Sequence, residues 1–184
     1  MLHWLRNKSR QALTARQLYG SSVAAARDPV FYRDWHVADT LEGRFEIVVL
    51  HVGLLVRRLT AEGEAGKRLG QAVLEEMFAA IDDDMRELGV GDMTVPKRVK
   101  AAASAFYGRL RVYDAALTKS DDAALGEAFK RNLPAGGPGS VSASQIARYA
   151  RALADELQHQ PFAKLNQGEI SFRLGASHAR KLSP

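Results

Sequence analysis

The residues from Asp82 to Lys100, DDDMRELGVGDMTVPKRVK, run from acid through a glycine loop to base and could do chemistry in three ways. They could form a metal or catalytic carboxylate cluster, a phosphate-binding loop, or a helix hairpin whose charges serve a partner. A calcium loop needs oxygen ligands at alternating positions, glycine at the sixth and a bidentate glutamate at the twelfth. Counted from Asp82, the fifth position is Arg86 and the sixth is Glu87, so that pattern fails. Successive helical residues point about 100° apart, so Asp82, Asp83 and Asp84 cannot converge on one atom as a catalytic pair would. A phosphate loop would continue GVGDMT with a later glycine, lysine and serine or threonine, and a dinucleotide fingerprint would follow a strand. This sequence meets neither requirement.

The other reactive residues are scattered. His3, His36, His51, His159 and His178 include no pair at the spacing that places two metal ligands on one helical face. No serine sits in a GxSxG elbow. The absence of cysteine removes thiolate ligands, cysteine nucleophiles and disulfides together. Nothing in these residues announces catalysis, and no metal site and no cofactor are expected. His51 falls in the most apolar run, IVVLHVGLLV, and reads as a hydrogen-bonded core histidine.

The charges then need a purpose. On a helix Asp82 and Arg86 share a flank as an i,i+4 pair, while Asp83 and Glu87 face away from the apolar stripe. Three aspartates near a helix C-terminus oppose the macrodipole at about 0.3–1 kcal/mol each. Lys97, Arg98 and Lys100 follow across a short loop, so either they compensate the acids within the hairpin or both clusters are held for partners. Arg109 and Arg111 continue the basic series, and Arg57 and Arg58 add a second cationic site. A net charge of +5 implies something acidic nearby: RNA, a ribosome, an anionic membrane surface or an acidic protein segment. No nucleic-acid-binding motif accompanies these cations, and DNA is not an expected partner.

The elements that must position these residues read as helices. Leu41, Phe45, Val48, Val52, Leu55 and Leu59 recur at spacings of four and three, and Ile47, Leu50 and Leu54 widen the stripe until the segment is apolar nearly all round. This is the expected central helix, ending at Gly63. A second stripe runs through Leu74, Phe78, Ile81, Met85 and Leu88, with Gly89 in the place of a C-terminal cap. Thr94 as N-cap and Pro96 in the first turn open a third helix, with Val95, Val99, Phe106, Leu110, Tyr113 and Leu117 inward and small residues Ala102, Ala103, Ala105 and Gly108 inviting close approach. Ser120 is expected to cap a shorter helix, Pro134 to Ser140 to form a linker, and Ser142 or Ser144 to open a helix with Ile146, Tyr149, Leu153 and Leu157 inward that Pro161 ends. No segment alternates long enough for a strand. The fold class is all-α, a single-domain bundle of about six helices with partly orthogonal packing.

The basic start, with Arg6, Lys8, Arg10 and Arg16, lacks the apolar core of a signal peptide, and IVVLHVGLLV is half the length of about 20 residues that a membrane span needs. Export and membrane crossing are not expected, the mature chain is expected to begin near Met1, and the start could instead lie on an anionic membrane surface.

Two segments carry a family resemblance: DPVFYRDWHVADTLEGRFEIVVLHVGLLVRRL, from Asp28 to Leu59, and DDDMRELGVGDMTVPKRVKAAASAFYGRLRVYDAAL, from Asp82 to Leu117. Their most specific strings are DTLEGRFE, LHVGLLVRRL, MRELGVGDMTVPKR and AFYGR. The sequence resembles the ubiquinol–cytochrome c chaperone family, the bacterial and mitochondrial assembly factors of the cytochrome bc1 complex, more loosely as far as about Gln160. The short, transit-peptide-free start fits the bacterial branch.

That resemblance implies a non-enzymatic helical protein that binds newly made cytochrome b as its client, shields it and passes it on for haem insertion and assembly. Ribosome or anionic membrane surface are the further partners implied, with a cytoplasmic location at the inner face of the cytoplasmic membrane. An RNA- or ribosome-binding accessory protein acting through the basic face is the alternative. The implied organisation is a basic helical segment over 1–27, the chaperone-like domain over 28–160 and a weakly ordered basic tail over 161–184. The expected partner surface comprises the aromatics Phe31, Tyr32, Trp35, Phe106 and Tyr107, which either line an apolar groove or pack the core, and the charged Arg57, Arg58, Asp82, Asp83, Arg86, Glu87, Lys97, Arg98, Lys100 and Arg109.

Overall fold

The computed structural model describes residues 2–119, 121–135 and 141–173. Among them are six helices of eleven residues or more and two of a single turn: α1 (Leu2–Ala26), α2 (Pro29–Arg33), α3 (Leu41–Thr60), α4 (Gly63–Glu87), α5 (Val95–Thr118), α6 (Asp122–Asn132), α7 (Ala143–His159) and α8 (Phe162–Leu165). The all-α expectation and its helix number hold. The described residues include no strand, only an isolated bridge between Val37 and Ala135.

Helix α3 is the axis because its apolar residues cover more than one face. Ile47, Leu50 and Leu54 join Phe31, Trp35, Tyr113, Phe129, Tyr149 and Leu153 in one core cluster, shared with α2, α5, α6 and α7. Val49, Val52, Leu55 and Leu59 face a second cluster with Leu18 of α1, Leu69, Val73 and Met77 of α4, and Phe106 of α5. Burying each such side chain contributes about 1.5–3 kcal/mol. The stripe read from the sequence shifts at one end: Leu41 is exposed on the first turn of α3.

The helix ends follow local rules, with some changes of residue. Thr40 caps α3 by accepting from the Gly43 amide at 3.2 Å. Gly43 itself is obligatory, since a Cβ there would lie 1.9 Å from the Ala38 carbonyl oxygen. Gly63 is not the stop of α3 but the first residue of α4, at φ +71°, so Ala61 and Glu62 alone join the two helices. Gly89, at φ +77°, terminates α4, with its own amide on Arg86 O and the Val90 amide reaching back to Met85 O. Thr94 occupies the N-cap of α5 but makes no side-chain cap bond. Ser120 lies outside the described residues; Asp121 caps α6, its carboxylate accepting from the Ala124 amide at 2.9 Å. Ser142 precedes α7 and uses its backbone, donating to Trp35 O at 3.0 Å and so fastening the start of α7 to the segment that follows α2.

Residues 161–173, expected to have partial order at best, pack closely. Leu165 is fully buried, and Ile170 and Phe172 lean on the cores. The Gln160 amide group donates to Ser171 O and accepts from Ser171 N, fixing the segment across α7. Leu165, Ile170 and Phe172 stand five and two residues apart, which sets up no sustained helical or strand period, so the sequence pattern missed this contact. The basic end of the tail, most of the Pro134–Ser140 linker and the side chains of Arg6 and Lys8 lie outside the described residues.

Candidate functional site

A groove of about 750 Å³ opens between the C-terminal half of α3, the middle of α5 and the end of α7. Val56 and Leu110 give it an apolar lining, and Tyr107, 48 % exposed, stands at its edge. Leu110 packs close to α3 because Gly53 has no side chain; a Cβ there would sit 3.3 Å from a Leu110 methyl. Three arginines enter the groove, and they differ in what already holds them.

Arg58 is buried, and each of its three guanidinium nitrogens has a partner. Its Nε donates to Leu157 O at 2.8 Å and Nη2 to Gln160 O at 2.8 Å, satisfying carbonyls at the end of α7, while Nη1 meets Glu62 at 2.5 Å. Arg57 lies partly exposed with Nε on Asp114 at 2.6 Å. Arg111 is exposed and has no partner among the described residues. Along α5, Lys100, Ser104, Tyr107 and Arg111 recur at spacings of four, three and four, so one helical line extends the groove's exposed side toward the α4–α5 turn.

That turn forms a second exposed region. Leu88 and Met93 are solvent-exposed at 67 % and 90 %. Arg86 pairs with Asp82 at 2.6 Å, the i,i+4 contact expected, and also reaches Asp92 across the loop. These two carboxylates hold the Arg86 guanidinium above its ordinary pKa, mainly through the Asp82 hydrogen bond. Asp83 and Glu87 stay exposed, as do Lys97, Arg98 and Lys100, and no ion pair links the two sets among the described residues. Compensation of acid by base across the hairpin is therefore not what the structure uses.

The fifteen residues expected at a partner surface separate accordingly. Phe31, Trp35 and Phe106 are core residues, at most 3 % exposed, and cannot present an apolar face to a partner. Phe31 and Trp35 stack edge-on with each other and with Tyr149. Tyr32 is half-buried and donates its hydroxyl to Ala26 O. Arg58 is structural for the reason given. Arg109 turns inward to Glu46 at 2.5 Å, where burial outweighs the nearby guanidinium and raises the Glu46 carboxyl above its ordinary pKa. Among the described residues Glu46 Oε2 and Arg109 Nε have no hydrogen-bond partner. Arg57, Tyr107, Asp82, Asp83, Arg86, Glu87, Lys97, Arg98 and Lys100 remain at the surface. Sequence reasoning missed Val56, Leu110, Asp114 and Gln158, which meet from three helices, and the exposed Leu88 and Met93.

Among the described residues no group of three or more histidine, aspartate or glutamate side chains could hold a metal ion, and no helix is long and apolar enough to cross a membrane. The described residues thus form an all-α scaffold that exposes an apolar groove edged with arginine and a turn carrying Leu88 and Met93. The chain matches the ubiquinol–cytochrome c chaperone family over residues 33–172, and it belongs to that family. It is 27 % identical over 127 residues to ubiquinol–cytochrome c reductase complex assembly factor 1 of Xenopus laevis, covering 69 % of this chain and 63 % of the relative. The Drosophila melanogaster assembly factor is 24 % identical over 159 residues, 84 % of this chain and 61 % of the relative. The chain thus spans about six tenths of the length of these curated relatives. The crystal structure of the Cbp3 homolog from Brucella abortus superposes with a TM-score of 0.80 at 37 % identity, covering 92 % of this chain and 94 % of that one.

Proposed function

We infer that this chain is a non-catalytic assembly chaperone that binds newly synthesised cytochrome b and promotes assembly of the cytochrome bc1 complex. The observation that carries this reading is the family match over residues 33–172, joined to a 0.80 TM-score with a Cbp3 homolog over nearly the whole chain. The relatives' names give assembly of ubiquinol–cytochrome c reductase as their task. The physical profile agrees: cations without acidic partners and exposed apolar side chains suit transient binding of another chain.

The protein works, on this reading, as a peripheral component at the inner face of the cytoplasmic membrane, where anionic lipid attracts each nearby lysine or arginine by about 1 kcal/mol. The RNA-binding alternative rests on charge alone, and no relative favours it.

Deleting the gene and recording reduced-minus-oxidised membrane spectra, with a blot for cytochrome b, tests the proposal. Loss of cytochrome b and of bc1 activity with intact transcript is the expected result. Unchanged bc1 levels would remove the chaperone reading. Charge reversal at Asp83, Glu87 and Lys97 together then asks whether the hairpin belongs to the working surface, expected as reduced bc1 levels with the protein still folded.

A further inference from the structure

The groove on α3, α5 and α7 has a charge balance that specifies its occupant. Its lining holds three cations and two acids, and each acid is already engaged: Asp114 by Arg57 and Glu62 by Arg58. Arg111 is the charge left over. The rest of α5 exaggerates the imbalance, because its only acid, Asp114, stands against Lys97, Arg98, Lys100, Arg109 and Arg111, of which only Arg109 has its own acid, Glu46, among the described residues. We propose that this groove seats an apolar segment of the client chain that carries an acidic side chain, with Val56 and Leu110 against the apolar residues, Tyr107 over their edge and Arg111 on the carboxylate.

The physical case is one of complementarity. A volume of about 750 Å³ is in the range of sites that enclose several side chains. Tyrosine and arginine are among the residues most enriched where protein contacts are anchored, since both give large contact area and directional bonds. A carboxylate on Arg111 would make a charge-assisted hydrogen bond at the edge of an apolar floor, where water competes less. Other occupants fit worse. A polyanion such as RNA, tracking the cations of α5, would leave the apolar floor of Val56 and Leu110 uncovered. A flat membrane surface cannot reach a concave floor. A basic segment would meet uncompensated Arg111.

This proposal rests on the chaperone reading for the identity of the client but not for the chemistry of the seat. Its test uses the full chain and fluorescein-labelled leucine–alanine peptides of equal length carrying glutamate, glutamine or lysine at the same positions, with binding followed by fluorescence anisotropy. The glutamate peptide should bind best and the lysine peptide worst. Arg111→Glu should weaken the glutamate peptide about tenfold or more and improve the lysine peptide, while Tyr107→Ser weakens both glutamate and glutamine peptides. Both side chains are exposed, so circular dichroism and Tm should match the parent protein.

Equal binding of the three peptides, no binding of any, or indifference to both substitutions would overturn the proposal. So would the discovery that only RNA or anionic phosphatidylglycerol vesicles bind in a manner sensitive to Arg111→Glu. In cells, the deletion strain separates the two levels. If deletion lowers bc1 and the Arg111→Glu, Tyr107→Ser chain restores it in full, the groove proposal falls and the chaperone reading stands. If deletion leaves bc1 intact the chaperone reading falls, and the peptides still decide the chemistry of the groove.

Discussion

Helices α3 and α5 have nearly the same length and opposite economies of polar groups. Thirteen of the twenty residues of α3 are buried, against five of the twenty-four of α5. On α3 the fully buried histidine is matched inside the molecule, whereas Glu46, paired with Arg109, keeps one carboxylate oxygen without a hydrogen bond among the described residues. His51 is fully buried, with Nδ1 donating to Ile47 O at 2.8 Å and Nε2 accepting from the Tyr149 hydroxyl at 2.7 Å, a tautomer fixed because a carbonyl can only accept. On the exposed face of α5, cations stand without acids and an aromatic ring stands half in water. A satisfied buried group reports on the fold, and an unsatisfied exposed row reports on what the fold is for.

Truncation is the strongest way to break that contrast. Phe31→Ala should cost about 3–5 kcal/mol, seen as a large fall in denaturation midpoint, because it empties a ring-sized volume among Trp35, His51 and Tyr149. Tyr107→Ser on α5 should stay within about 0.5 kcal/mol of the parent. Comparable losses from the two substitutions would mean that α5 is packed as α3 is, and that Tyr107 has no face to offer a partner.

Proton linkage sharpens the same point at a slightly smaller scale. Burial lowers the His51 pKa from 6.5 to about 4, against smaller opposing effects of the Ile47 carbonyl and of Asp28. Below pH 6.5 the unfolded chain binds a proton that the folded chain refuses until about pH 4. Stability from this group is therefore complete above pH 6.5 and is lost as pH falls toward 4, in total about 3 kcal/mol at about 1.4 kcal/mol per tenfold change in proton affinity. Asp39 and Glu64, whose carboxyl pKa values are lowered chiefly by hydrogen bonds to Arg44 and Lys67, act in the same direction at lower pH. The difference between parent and His51→Gln isolates the histidine. Urea midpoints measured from pH 7 to 4 should fall more steeply in the parent, and parallel curves would show that His51 is not held neutral.

The two helices were unequally legible in the sequence. Four-three spacing announces an apolar face, and it found α3, α4, α5 and α7, together with Gly89 at the end of α4. Spacing does not say whether a second element covers that face, so Phe31, Trp35 and Phe106 read equally well as groove or as core. Adjacent Arg57 and Arg58 look interchangeable in sequence, yet a step of about 100° around α3 sends one to Asp114 and the other to the carbonyls of α7. The groove itself could not be found this way, because Val56, Leu110 and Gln158 come together only through tertiary packing.

Turn chemistry offers a smaller test at the junction between the two regimes. Gly89 holds φ +77° with open space around its missing side chain, so Gly89→Ala meets no clash and only the backbone cost of a left-handed residue. That cost is about 1–2 kcal/mol. It should appear as a modest loss of Tm with unchanged far-ultraviolet circular dichroism. A larger loss would place the exposed turn with Leu88 and Met93 among the structural contacts instead of beside them.

The smallest effect has the opposite sign. Gly108 lies within α5, where glycine costs roughly 0.5–1 kcal/mol relative to alanine, and a Cβ there would meet nothing within 4 Å. The fold gives no reason for a glycine at this position, in contrast to Gly43 at the start of α3, where a Cβ would collide with the Ala38 carbonyl. Gly108→Ala should therefore raise Tm slightly, and Gly43→Ala should lower it. If both substitutions destabilise, α5 is constrained from within like α3. If Gly108→Ala stabilises the free chain while lowering bc1 levels in a complemented deletion strain, the need for glycine arises from a surface that comes close to α5 only during assembly.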